Sequence, residues 1–194
     1  MLQKNTSKVL RFLLRNPHKV GYNINKIARA LEISVGSAFK ILKELEKIGI
    51  VKVSDIGNAK YYLLNLSNPE ARKVSELMLL EEKRDISSHA RIYAEMIEGF
   101  KDAGMVVLFG SVLNKKEFND VDVLFIAENF KNVTSFCLEI TKIRSKPVVP
   151  LILRRQDLVS ELKARKESIM SIIKEGIVLK GESFFVEVIK DAQE

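Results

Sequence analysis

Val106-Val107-Leu108-Phe109-Gly110-Ser111 and, after a short gap, Asp120-Val121-Asp122-Val123-Leu124-Phe125-Ile126 are the two stretches that decide the fold of the C-terminal half. Each is an apolar run of strand-forming residues with a polar device at one end. In the first, a Gly-Ser pair ends the strand, and a backbone without Cβ lets phosphate oxygens approach main-chain N–H groups. In the second, the carboxylates of Asp120 and Asp122 fall on one face, because strand side chains alternate. Two carboxylates beside such a turn suit a hard divalent cation that bridges to a nucleotide's phosphates.

An Asp-x-Asp on its own is most often a turn followed by a solvated strand position. Here the Gly-Ser ending, the short spacing and the flanking apolar runs occur together. Gly110-Ser111 with Asp120-Val121-Asp122 resembles the signature of the DNA polymerase β-like nucleotidyltransferase superfamily, in its minimal branch, over about residues 88–194. The resemblance implies a small mixed β-sheet backed by helices and a nucleoside triphosphate with Mg²⁺ or Mn²⁺ on Asp120 and Asp122. It further implies phosphates held at Gly110 and Ser111, with nucleotidyl transfer to a hydroxyl. Lys115 and Lys116, in the connecting loop, are candidates to add positive charge to those phosphates.

The N-terminal third carries a different signal. Residues 1–67 hold nine Lys and three Arg against three Glu and one Asp, a net +8, while the whole 194-residue chain is +7. All the excess positive charge therefore lies at one end, which points to a polyanionic partner for that end alone. Thr6-Ser7 is expected to cap a first helix running to about Arg15, and Asn16-Pro17 stops it. Tyr22-Asn23-Ile24 reads as a short extended piece, Asn25 as the cap of a second helix, and Glu32-Ile33 as a tight turn. Ser34 caps a third helix reaching Ile48, with Val35, Ala38, Phe39, Leu42 and Leu45 as its buried stripe. Gly49 ends that helix. Ile50–Val53 and Lys60–Leu64 then read as two strands joined by a loop over Ser54–Ala59.

Three helices, the third after a short turn, followed by a hairpin resemble a winged helix-turn-helix domain. The matching residues are Asn25, Ile27-Ala28 and Leu31, then Ser34-Val35, Leu42 and Leu45, then Gly49-Ile50-Val51. The resemblance implies DNA as partner, with the third helix in the major groove. Ser34, Ser37 and Lys40 would lie near bases or phosphates, Lys43 and Lys47 farther along, and Lys60 in the wing. Such modules commonly bind two half-sites, so a homodimer is expected.

Ser67-Asn68-Pro69 marks the end of this region. The expected division is 1–67 for the winged helix, 68–87 for a helical linker and 88–194 for the nucleotidyltransferase-like part, an α+β protein. The helical pattern runs from Glu70 to Asp102 with a break near Asp85–Ser88. Beyond the signature strands come a helix over Asn129–Arg144, a strand over Pro147–Leu153 and one helix over Gln156–Glu175. A short extended Ile177–Leu179 and a last helix follow. The first of these helices is expected to turn Phe130, Val133, Phe136, Cys137, Ile140 and Ile143 inward.

The composition, 46 % hydrophobic and 29 % charged, is that of an ordinary globular chain, and charges interrupt every apolar run short of a membrane span. A cytoplasmic protein is expected. The single Cys137 suits a reducing compartment and a packed core thiol. His18 and His89 belong to no metal-ligand spacing.

Two departures from the superfamily pattern bear on activity. Active members carry a third carboxylate on the strand after the Asp pair, whereas Pro147–Leu153 holds no acidic residue. Asp157, just beyond it, reads as a helix-terminal residue. The Arg-Gly pair that often follows Gly-Ser is replaced by Val112-Leu113-Asn114-Lys115-Lys116. Two readings stay open. One is a nucleotidyltransferase with a DNA-binding module. The other is a non-catalytic transcriptional regulator or antitoxin-like protein with a degenerate nucleotidyltransferase domain and a partner protein.

Overall fold

A computed structural model describes residues 3–194, an α+β chain of ten helices and seven strands in two small sheets among those residues. It divides into two compact units, 1–78 with 189–194, and 79–188.

The first unit opens with α1 (Lys4–Arg15), β1 (Tyr22–Asn23), α2 (Ile24–Leu31) and α3 (Val35–Lys47). Thr6 and Ser7 do not cap α1. Gln3 does, and Ser7 N–H already donates to the Gln3 carbonyl, so both hydroxyl residues sit inside the first turn. The cap of α2 is likewise Asn23 rather than Asn25, its Oδ1 accepting from Lys26 N at 2.9 Å. Ser34 caps α3 through Oγ, which accepts from Ser37 N at 3.1 Å.

Both α2 and α3 end in the same motif. Gly49, at φ +73°, donates to Glu46 O while Ile50 donates to Leu45 O. Glu32, at φ +53°, donates to Arg29 O while Ile33 donates to Ala28 O. These 5→2 and 6→1 bonds satisfy the last helical carbonyls and turn the chain sharply. The turn after α2 sets α3 across it.

β2 (Val51–Ile56) and β3 (Ala59–Leu64) pair in register from Val51↔Leu64 to Ile56↔Ala59. The expected six-residue loop is thus only Gly57-Asn58, with Gly57 at φ +57°. The ladder wins Ser54–Ile56 because every residue there gains a cross-strand partner. β1 joins the far edge of β3 through Tyr22↔Tyr62. Val9, Leu10, Leu13 and Leu14 of α1, Ile27, Ala38, Leu42 and Leu45 of α2 and α3, and Tyr62 and Leu64 of β3 are all buried.

The burial of α3 departs from expectation. Ala38, Ile41, Leu42 and Leu45 are buried, whereas Val35 and Phe39 are each 49 % exposed. The helix is apolar over more than one stripe, and the core takes the stripe centred on Leu42.

α4 (Pro69–Arg84) carries the chain to α5 (Ser88–Glu98) with the break at residues 85–87. In the second unit β4 (Met105–Phe109), α6 (Ser111–Asn114), β5 (Val121–Ile126), α7 (Phe130–Ile143) and β6 (Val148–Leu153) follow. α8 (Arg155–Lys163), α9 (Glu167–Glu175), β7 (Ile177–Lys180) and α10 (Glu182–Gln193) complete the chain. The sheet order is β6-β5-β4-β7, with β5 and β6 parallel and the other pairs antiparallel. β6 is an edge strand, where Pro150 removes no needed ladder donor.

Val106, Leu108, Val121, Val123 and Phe125 share one sheet face and one core with Ala90, Tyr93 and Ile97 of α5 and Val133, Cys137 and Ile140 of α7. Phe130 and Ile143, expected inward, are 42 % and 68 % exposed; they lie at the two ends of α7, beyond the width of the sheet. The single helix expected over 156–175 is two. Arg165 takes φ +54° and donates to Leu162 O while Lys166 donates to Glu161 O, closing α8 with the same motif as α2 and α3. No described helix is long and apolar enough to cross a membrane.

Candidate functional site

Strand register places the signature residues. Phe109, the last residue of β4, pairs with Asp122 of β5, so the strand end that leads into Gly110-Ser111 lies beside the Asp122 carboxylate. Gly110 takes φ +83° and ψ −158°, a region essentially reserved for glycine. A Cβ added there would overlap Asp122 Oδ2, so the missing side chain is what admits the carboxylate to the turn.

Asp120 and Asp122 are both half-buried and bracket the buried Val121, which holds them on one side of the sheet. That side is opposite α5 and α7, because Val121 and Val123 point into the core those helices cover. Burial first, and then the charge of Asp120, push the Asp122 carboxyl above its ordinary value. Two like charges are therefore held close enough to act on each other in a partly desolvated place.

The connection from Asn114 to Asp120 is pinned from below. Phe118 packs 5.8 Å from the His89 ring and edge-on to Tyr93 at 6.0 Å. His89 Nε2 in turn lies 3.1 Å from both Ser87 Oγ and the Val112 carbonyl oxygen of α6. His89 thus ties α5 to the segment that joins Ser111 to Asp120, a role its isolation in the sequence gave no reason to expect.

Gly110, Ser111 and Lys115 line a cleft of about 320 Å³ with Phe109, Leu113, Asn114, Ser171, Ile172 and Glu175. Ser171 and Glu175 come from α9, and no spacing in the sequence links them to the signature. Lys116 is exposed and does not line the cleft, nor do Asp120 and Asp122; the Asp122 carboxylate lies beside the Gly110 turn rather than in the cleft wall.

In the parallel β5–β6 pair Asp122 stands opposite Val149, which is 44 % exposed. Asp157 lies in the first turn of α8, where its Oδ2 accepts from Arg154 N at 3.3 Å, a capping contact.

Among the described residues no group of three or more His, Cys, Asp or Glu side chains could hold a metal ion. Two carboxylates do not make an all-protein cage. They do fit Mg²⁺ that arrives with a nucleotide, since that ion takes one or two carboxylates and draws its remaining oxygens from phosphates and water.

In the first unit Lys40, Lys43 and Lys47 project from one exposed surface of α3 together with Phe39, Glu44 and Glu46. Lys43 Nζ lies 5.8 Å from the Phe39 ring centroid. Ser34 Oγ is committed as acceptor to the cap, which leaves its O–H to donate outward. Lys60 pairs with Asp55 directly across the hairpin, Nζ to Oδ1 at 3.1 Å, so its charge is locally compensated. Its pKa is raised, first by that hydrogen bond and then by the Asp55 charge. Comparison of the chain with protein-family models, with curated proteins and with solved structures finds no match.

Proposed function

We propose that the second unit binds a nucleoside triphosphate with Mg²⁺ and transfers its nucleotidyl group to a hydroxyl, and that the first unit is a winged-helix module that binds DNA. The observation that carries the first part is the Asp122 carboxylate lying against the Cβ-less Gly110, with Asp120 on the same side. That juxtaposition partly desolvates a charge and sets like charges together, and fold stability explains neither. A divalent cation with a nucleotide relieves both.

In this reading Asp120 and Asp122 hold the metal, which neutralises phosphate charge when bound. Gly110 and Ser111 offer the backbone turn to the phosphates, and Lys115 adds a cation from the cleft wall. The acceptor oxygen forms a bond to the α-phosphorus, the bond to pyrophosphate breaks, and the acceptor's proton leaves to solvent or to a carboxylate.

A second reading is favoured by Val149. With an apolar side chain where active relatives would place their third carboxylate, the acceptor's proton has no adjacent base of that kind. The unit would then sense nucleotide without transferring it, and the chain would act as a regulator. Incubation of the protein with Mg²⁺ and α-phosphate-labelled nucleotides, plus lysate RNA and protein as acceptors, separates the two. Label that requires Asp120 and Asp122 supports transfer. Its absence in a protein that still binds nucleotide supports the regulator.

DNA binding is supported by the +8 charge of residues 1–67 and by Lys40, Lys43 and Lys47 on one exposed surface of a helix that follows a tight turn. The hairpin β2–β3 would be the wing.

A further inference from the structure

The exposed surface of α3 is not uniform along its length. Lys43, Glu44, Glu46 and Lys47 occupy the C-terminal half, while the N-terminal half carries the exposed Val35, Gly36, Phe39 and Lys40, the half-buried Ser37 and no carboxylate. Val35 and Phe39 are one helical turn apart and each 49 % exposed. Gly36 lies between them in sequence, and a Cβ built on it meets nothing within 4 Å. The fold therefore gives no steric reason for glycine there, and glycine costs a helix stability relative to alanine. A bare backbone at an exposed helical position admits a surface that comes very close.

We infer that this N-terminal half of α3 is the surface that meets the bases, with Phe39 and Val35 covering thymine methyl groups and Gly36 permitting the close approach. The inference rests on the DNA-binding reading and adds a preference to it. Charge selects the occupant: Lys40 and Lys43 follow the apolar pair along the helix, Lys43 with its Nζ 5.8 Å from the Phe39 ring centroid, on a unit with a large positive excess, which suits a polyanion. Among the features of a major groove floor, the thymine C5-methyl is the apolar one that a Phe can cover. The two lysines then position the helix through phosphates, and the apolar pair discriminates.

The test uses the full chain and three defined 24-base-pair duplexes, alternating dA-dT, alternating dA-dU and alternating dG-dC, at several salt concentrations. The first two differ only in the thymine methyl. The expected result is tighter binding to dA-dT than to dA-dU by about 4-fold for each methyl covered. Phe39→Ala should reduce that difference, and Val35→Ala with Phe39→Ala should abolish it, while leaving the salt dependence unchanged. Gly36→Ala should raise the thermal midpoint by about 2 °C and yet weaken dA-dT binding. Equal affinity for dA-dT and dA-dU, with ordinary salt-dependent binding to all three, overturns this inference and leaves the DNA-binding reading standing. Salt-independent binding, or none, overturns both. A Gly36→Ala chain that binds dA-dT as well as wild type also contradicts it.

Discussion

At Asp122 two unfavourable effects meet, partial burial and a neighbouring carboxylate, and both favour the protonated acid. A carboxyl whose pKa is raised on folding binds its proton more tightly in the native state. Stability therefore falls as pH rises from the unfolded value, 3.8, through the raised native one, and stays lower above it. Asp122→Asn removes the ionisable group with little change of shape. It should melt higher than wild type at pH 7 and lose that advantage near pH 3.5; a variant that melts lower at pH 7 would show that the carboxylate is stabilising as it stands. Cys137 offers a second residue-level test. Burial pushes its thiol up to about 11, so it is protonated and shielded at neutral pH. A thiol reagent at pH 8 should label it only on unfolding, and prompt labelling of the native chain would contradict its burial.

Between elements, the β5–β6 register makes Val149 the position to change. It is exposed and faces the same side as Asp122, so Val149→Asp should alter stability little at saturating Mg²⁺ and nucleotide. It should tighten Mg²⁺-nucleotide binding by about tenfold, equivalent to ~1.4 kcal/mol. Unchanged affinity in equilibrium dialysis would mean that β6 does not border the metal position. Gly110→Ala tests the other wall: a forbidden backbone region plus overlap with Asp122 should cost roughly 1–3 kcal/mol in chemical denaturation. The two strands and the turn between them were legible from residues alone, because Gly110-Ser111 and Asp120-x-Asp122 combine a turn former with a period-two pattern. The missed features share one cause, which is that their signals are not local. Glu32 and Arg165 end helices in the left-handed region without the glycine that marks Gly49. Ser54-Asp55 has loop chemistry but is held in a strand by register with Lys60 and Tyr61. Phe39 and Val35 read as core because composition cannot say which of two apolar stripes on α3 the core will take. Ser171 and Glu175 enter the cleft only through the packing of α9 beside β4.

For the molecule as a whole, charge asymmetry separates the two activities proposed. DNA affinity should fall steeply with salt, with a log–log slope of roughly −3 if three lysines of α3 each neutralise a phosphate. Lys40→Ala or Lys43→Ala should each flatten that slope by about one and weaken binding to all sequences alike, as fluorescence anisotropy would reveal. A slope near zero would remove the phosphate contacts from the account. The nucleotide site should be indifferent to those changes, since it draws on Asp120, Asp122, Gly110 and Ser111. The most direct measurement is isothermal calorimetry of Mg²⁺-nucleoside triphosphates into wild type and into a double Asp120→Ala, Asp122→Ala variant. Saturable heat with wild type, little heat with Mg²⁺ alone, and loss of the nucleotide heat in the double variant are expected. Identical titration curves for the two proteins would contradict a metal-nucleotide site at the Asp pair.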